Sequence, residues 1–272
     1  MEPFHEQSRD RDARYLFIRR SDGLDFLAHY HDAYELFVVV SGRQKVGIAN
    51  QEVLLQAGQA ILTSPWTIHY YSACRPTRGF MLIFSPDLVG GRISLPQAIW
   101  RFAPDGPDFK RVCDLVGRLQ DEMDKQKPYA ELAACGLLNQ LLLALVRPEN
   151  GPASLQSLPP GSGRPGLMQA ILDYLARHLH EPVSRSELAR HFKVCPAHIS
   201  RTFHAATGLS LSDYLARLRV DRALDQLRSS QESITDIAYN CGFASIRSFN
   251  RQFQRITGQA PRDLRRQQEV SP

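Results

Sequence analysis

Histidines and a carboxylate gather in one short stretch of this 272-residue chain, His29-Tyr30-His31-Asp32-Ala33-Tyr34-Glu35, and a further histidine, His69, follows downstream. Imidazole nitrogens and carboxylate oxygens are donors that transition metals take from proteins, so His29, His31, Glu35 and His69 can make a three-histidine, one-carboxylate site. Inside a barrel the same groups serve equally as hydrogen-bond partners for a polyol. Tyr34, Trp66 and Tyr71 then supply an aromatic platform for a sugar ring. A third reading is that some of these histidines only satisfy polar groups of the core. Hydrolase and kinase chemistry has no signature here: there is no GxSxG, no Gly-rich phosphate loop and no HExxH. The five cysteines, Cys74, Cys113, Cys135, Cys195 and Cys241, are scattered and form no CxxC pair. That argues against a disulfide framework and a thiolate zinc site, and it fits a reducing cytoplasm.

A second chemistry lies in the C-terminal part. The net charge is +5, and residues 1–166 are balanced at 18 Lys+Arg against 18 Asp+Glu, so the whole excess falls after residue 166. Fourteen of the fifteen cations there are Arg, the side chain best suited to phosphates and guanine edges. This segment also repeats itself. Leu188-Ala189 returns as Ile237-Ala238, and Arg201-Thr202-Phe203 with Thr207-Gly208 and Asp213 returns as Arg251-Gln252-Phe253 with Thr257-Gly258 and Asp263. One small unit is used twice. In the second copy Ser233 caps a first helix, Cys241-Gly242-Phe243 turns, and Ser245 caps a second helix. Phe249, Phe253 and Ile256 face inward from that helix, and Arg247, Asn250, Arg251, Gln254 and Arg255 face outward. This is a helix-turn-helix layout, in which one helix braces and the next enters the major groove.

The elements that must position these groups have distinct textures. LFVVV (36–40), QKVGIA (44–49), AILTS (60–64) and GFMLIFS (79–85) read as short strands punctuated by Gly and Pro, which predicts a barrel or sandwich. Phe109, Val112, Cys113, Val116 and Leu119 recur at helical spacing, and a second helix over about Tyr129 to Val146 is apolar on most of its surface. PENGPASLQSLPPGSGRPG, residues 148–166, reads as a flexible linker. After it the chain is all helical. The expected segments are 1–107, a strand-rich barrel; 108–147, a helical segment; 148–166, the linker; and 167–272, a basic helical domain with two helix-turn-helix units. The class is α+β. The longest apolar run, Leu132 to Val146, is too short to cross a bilayer, and the polar N-terminus predicts no secretory signal.

The segment ITDIAYNCGFASIRSFNRQFQRITGQAPRDLR, residues 234–265, resembles the AraC/XylS family of transcription regulators, and the likeness extends over about 168–267. The family pattern is matched at Ile237, Ala238, Gly242, Phe243, Ser248, Phe249, Arg251, Phe253, Gly258, Pro261 and Arg265. Leu264 replaces the usual aromatic, and in the first copy Lys193 replaces the common Gly. The resemblance implies recognition helices over about Pro196–Ala206 and Ser245–Ile256, joined by a long helix over about Ser212–Arg228. It also implies base-edge contacts from Ala197, Ser200 and Arg201 in the first unit and Arg247, Asn250 and Arg251 in the second. Arg can bond guanine bidentately and Asn can do the same with adenine.

His29, His31, Glu35 and Gly42 also resemble a first cupin motif. The second is degraded: Gly58 and Pro65 stand, followed by Trp66-Thr67-Ile68-His69. Together with the strands this implies a small cupin barrel, which regulators of this family often carry as an effector sensor. Two functions therefore compete, a ligand-responsive DNA-binding regulator and a cupin metalloenzyme, and the double helix-turn-helix decides for the regulator. The expected function is an activator, not an enzyme, with no metal or other cofactor. Its effector would be a sugar or another small polar metabolite, bound by His29, His31, Tyr34, Glu35, Trp66, His69 and Tyr71. Double-stranded DNA, RNA polymerase and a second copy of the chain, paired through the helices at 108–147, are the expected partners. The expected location is the cytoplasm.

Overall fold

A computed structural model describes residues 16–74, 76–89, 95–125, 128–148, 154–158 and 166–270. The chain divides into two compact units: one holds Tyr30–Arg164 and the stretch up to Phe26, the other Leu27–His29 and Pro165 onward.

Strands come first in the chain: β1 (Leu16–Ser21), β2 (Phe26–His29), β3 (Tyr34–Ile48), β4 (Gln51–Gln56), β5 (Gln59–Thr63), β6 (His69–Ser72), β7 (Thr77–Phe84) and β8 (Ala98–Arg101). Two helices follow, α1 (Pro107–Lys125) and α2 (Ala130–Val146), and then a last strand, β9 (Ser154–Ser157). LFVVV and QKVGIA, read from sequence as separate strands, are the two halves of the 15-residue β3. A register shift between Val39 and Ser41 bends it, and Gly42 at φ 81° carries the bend where a Cβ would overlap the Pro76 carbonyl. The first half of β3 pairs antiparallel with β5 and β7, and the second half with β4 and β6.

Among the described residues the main pairing path runs β1-β7-β3-β5-β8-β9 and does not return on itself. The α+β class holds, and the expected cupin-like barrel takes the form of an open, sheet-rich unit. The reason is the bend in β3: each half has neighbours on both sides, so the strand passes from one sheet into another instead of sealing a ring. A second difference lies in the expected linker. Ser154–Ser157 form β9 against β8, and Leu158 is buried. The backbone groups on the open edge of β8 find their partners there. Linker residues 149–153 and 159–165 lie outside the described residues.

Alternation along β3 separates two cores. Tyr34, Leu36 and Val38 face Leu62, Leu82 and Phe84 and the apolar stripes of α1 and α2. Phe37 and Val39 face the opposite way, with Ile61, Tyr71, Met81 and Ile83. Helix α2 buries Leu138, Leu141 and Leu145 yet leaves Leu132 at 74% exposure, with Leu143 and Val146 also open.

The second unit is helical: α3 (Leu167–Arg177), α4 (Arg185–His191), α5 (Pro196–Thr207), α6 (Leu211–Ser229), α7 (Ile234–Asn240), α8 (Ile246–Thr257) and α9 (Pro261–Val270). Local chemistry places their ends. The hydroxyls of Ser184, Ser210, Ser233 and Ser245 each accept a backbone N–H three residues on, from Glu187, Asp213, Asp236 and Ser248. Such caps satisfy donors that a helix start leaves orphaned. Gly208 and Gly258 end α5 and α8 in the left-handed conformation. Val220, Ala223, Leu227, Ile237, Phe243, Phe249 and Phe253 form the core of the second repeat around α6.

Candidate effector site and nucleic-acid interface

Glu35 is the second residue of β3 and only 1% exposed. It shares its sheet face with Thr63, its register partner on β5. His69 opens β6, fully buried, and reaches the same carboxylate from the other sheet. Glu35 Oε2 lies 3.1 Å from His31 Nε2 and 3.4 Å from His69 Nε2. The imidazoles of His31 and His69 meet edge to face at 5.2 Å. Burial alone would raise the Glu35 pKa. The neighbouring His69 and the bonds from His31 and His69 outweigh it and hold the carboxylate well below its ordinary range.

Each histidine is oriented by its other ring nitrogen. Nδ1 lies 2.8 Å from the Leu27 carbonyl in His29, 3.1 Å from the Ala33 carbonyl in His31 and 2.9 Å from the Thr67 carbonyl in His69. A carbonyl can only accept, so Nδ1 carries the proton and Nε2 presents either a lone pair or an additional proton. Within the sheet-rich unit, His31 and His69 converge on the one Glu35 oxygen. A donor set of oriented imidazoles and a carboxylate fits a divalent transition metal.

Within this cluster Glu35 Oε1, Thr63 Oγ1 and Tyr71 Oη are buried and make no hydrogen bond of ordinary length among the described residues, although the Tyr71 hydroxyl is drawn towards the Glu35 carboxylate. Tyr71 packs edge-on to His69 at 5.9 Å and to Phe37 at 5.7 Å. Burial, then the negative Glu35, pushes its hydroxyl pKa well up, so it stays a neutral donor. Thr63 was missed in the sequence reading. Its signal is alternation: Ile61 and Thr63 of AILTS share the face that Glu35 and Phe37 share on β3.

Not every expected effector residue joins this cluster. Tyr34 is buried on the other face of β3, stacked on Phe84 at 5.5 Å, and its hydroxyl accepts from Leu95 N at 3.2 Å. Neighbouring residues of a strand point to opposite faces, so Tyr34 lies apart from the Glu35 cluster. Trp66 is half-buried at φ 63°, donates its backbone N–H to the His31 carbonyl at 2.7 Å, and faces Tyr30 at 6.1 Å.

In the second unit, α8 turns Phe249 and Phe253 inward and leaves Arg247, Asn250 and Arg251 exposed at i, i+3 and i+4, on one face. On α5, Ile199 and Phe203 are buried, while Ala197 and Arg201 are exposed. Ser200 is half-buried, accepting from Arg185 Nη1 at 3.3 Å and donating to the Pro196 carbonyl at 3.2 Å. Two helix-turn-helix units, each with an exposed second helix, define a DNA-binding module.

Comparison with known proteins agrees with both halves. Residues 13–142 match the family described as AraC-like ligand binding domain, and residues 188–267 match a helix-turn-helix domain family. The chain is 28% identical over 256 residues to the HTH-type transcriptional activator RhaS of Escherichia coli O81 (strain ED1a), covering 89% of this chain and 88% of that one. It is 28% identical over 254 residues to RhaS of Pectobacterium carotovorum subsp. carotovorum (strain PC1), with the same coverage. Among solved structures, ToxT from Vibrio cholerae O395 aligns over 95% of this chain and 99% of its own, at 13% identity and a TM-score of 0.48. The chain thus joins an AraC-like ligand binding domain to a helix-turn-helix domain, and it is similar to AraC-type transcriptional regulators over most of its length. That pairing makes it a ligand-responsive DNA-binding regulator. No helix among the described residues is long and apolar enough to cross a membrane.

Proposed function

We propose that the sheet-rich unit senses a sugar or a similar small polyhydroxylated metabolite, and that the chain answers by activating transcription. The observation that carries this reading is the group of buried atoms without an ordinary hydrogen bond, Glu35 Oε1, Thr63 Oγ1 and Tyr71 Oη, beside His31 and His69. Buried polar atoms are almost always hydrogen-bonded, and hydroxyls of a polyol both donate and accept, as this mixed set requires. His31, Glu35, His69 and Tyr71 make the effector contacts, with Thr63 added and Trp66 at the margin. The kinship with RhaS activators supports activation and contact with RNA polymerase. The exposed Leu132, Leu143 and Val146 on α2 support a homodimer, and the scattered free cysteines support a cytoplasmic location. On the DNA side, Arg247, Asn250 and Arg251 of α8, with Ala197, Ser200 and Arg201 of α5, read base edges.

A thermal-shift screen of sugars and other polar metabolites tests the effector assignment, since a ligand that binds only the folded state raises its stability. A stabilising polyol should lose its effect in Glu35→Gln and in His31→Ala while affinity for DNA stays near that of the unsubstituted chain. Stabilisation that survives both substitutions places the effector elsewhere.

The oriented imidazole nitrogens favour a second reading, in which a divalent metal is part of the sensor. His31, Glu35 and His69 would hold it, and it would supply a Lewis-acidic centre for effector oxygens. Elemental analysis of the purified protein, before and after chelation, separates the two. Stoichiometric iron, manganese or zinc, lost together with effector response, supports the metal; full response after chelation excludes it.

A further inference from the structure

The two helix-turn-helix units meet at one residue that neither of them contains. Arg219 lies midway along α6. Its Nε donates to the Leu179 carbonyl at 3.0 Å and its Nη2 to the Glu181 carbonyl at 2.7 Å. Both carbonyls belong to the loop between α3 and α4, the entry to the first unit. Against that loop sits the turn of the second. Gly242, at φ 86° between α7 and α8, comes so close that a Cβ would overlap the Leu179 carbonyl oxygen and stand 2.9 Å from His180 Cα and 3.0 Å from Arg219 Nε. The His180 ring bonds the Asn240 carbonyl across the same contact. The guanidinium is therefore wedged where the loop of one unit, the turn of the other and the connecting helix converge.

We propose that Arg219 is a positioning residue: it locks the α3–α4 loop to the α7–α8 turn and so sets the distance between the recognition helices α5 and α8, hence the base-pair spacing that one chain accepts. The planar fork of a guanidinium holds two acceptors in a fixed relation, which a lysine ammonium cannot reproduce. A second tie between α6 and the second unit, Asp213 Oδ1 to Arg255 Nη2 at 3.0 Å, joins side chains about half exposed to solvent. Pairs so open to water contribute little. The Arg219 fork is itself only half-buried, but it makes two bonds to one loop where that pair makes one, and with the His180–Asn240 bond beside it this contact is the tighter constraint. Without it the first unit pivots on α6, and the separation of α5 from α8 becomes variable. This inference rests on the reading that both units contact DNA.

The test uses the full chain and duplexes that the unsubstituted protein selects from a random pool. One base pair is then added between the two contacted major-groove segments, which moves one segment by about 3.4 Å and turns it by about 34°. The unsubstituted chain should lose affinity by about tenfold or more on this change, whereas Arg219→Gln should lose about threefold or less, because its units can readjust. Arg219→Lys, which keeps the charge and the fold but not the fork, should behave as Arg219→Gln, and decides alone if the glutamine variant does not fold. Affinity for random-sequence duplex should be the same for all three. Variants as strict as the unsubstituted chain overturn the proposal and leave two-unit DNA reading intact. A lysine variant that stays strict where glutamine does not assigns the effect to charge and equally overturns the fork. An unsubstituted chain indifferent to the insertion overturns the two-unit reading itself.

Discussion

The turns of the two helix-turn-helix units follow the same backbone path with different residues. Val194 N donates to the Ala189 carbonyl at 3.0 Å in the first, and Phe243 N to the Ala238 carbonyl at 3.1 Å in the second. The residue before each is left-handed: Lys193 at φ 55° and Gly242 at φ 86°. A side chain in that conformation costs about 1 kcal/mol, and the first turn tolerates this. The second cannot hold a side chain at all, because the α3–α4 loop occupies the place of the Cβ. The helices that follow differ as well. Helix α8 starts with the hydroxyl of Ser245 on Ser248 N. Helix α5 starts at Cys195, which makes no side-chain cap, and relies on Pro196 in its first turn. The second repeat is bound more tightly by its surroundings, and its sequence is the more constrained of the two.

That asymmetry can be broken by substitution. Gly242→Ala should have the largest effect, about 2–4 kcal/mol of lost stability from the strained φ and the overlap with backbone together, read by denaturant unfolding of the C-terminal unit. Lys193→Ala should be close to neutral in the same assay. Equal losses at both positions would mean that the left-handed turn alone, not the packed loop, sets the requirement for glycine.

Arg251→Ala should weaken specific DNA binding by about 1–3 kcal/mol and relax preference at one base pair. Arg201→Ala, its counterpart on α5, should cost less, since Ala197 and the bonded Ser200 give that helix fewer free base-reading groups. Loss of the same size on random duplex would show that Arg251 holds a phosphate. Ser245→Ala should remove about 1 kcal/mol of stability, and Cys195→Ser should add a few tenths of one by supplying the missing cap. Lys193→Gly should be stabilising by about 0.5 kcal/mol, the relief of strain being partly offset by a looser unfolded chain.

The smallest effect concerns acid. A bond from Ser210, and then the Arg255 guanidinium, hold Asp213 below its usual pKa against a modest opposing effect of burial. A depressed folded pKa gives stability that is present above the unfolded value of about 3.9 and lost as pH falls through the folded value. Asp213→Asn should therefore flatten the acid side of the stability profile below about pH 4, while the repeat-related Asp263→Asn serves as the comparison. An unchanged profile in Asp213→Asn would separate this carboxylate from the docking of α6 on α8.

Much of this architecture is legible in the chain. The repeat, the capping serines at 184, 210, 233 and 245, and the inward phenylalanines at 203, 249 and 253 follow from rules that act over three to five residues. Alternation along β3 is equally local. Applied strictly, it already sends Tyr34 away from Glu35 and pairs Thr63 with the cluster. Other features depend on partners far along the chain. His69 joins Glu35 only because β6 pairs with the second half of β3 while Glu35 sits in the first half, on the other side of the bend. Ser154–Ser157 leave the expected linker only because β8 offers an open edge. Gly242 and Lys193 share a backbone conformation, and which of them must be glycine is decided by the loop docked on one and absent from the other. Hydrogen-bond reach and side-chain periodicity are properties of neighbouring residues, and the sequence by itself determines them. Occupancy of space beside a given Cβ, and the meeting of polar atoms from three strands, arise only when distant segments pack, and these the tertiary structure decided.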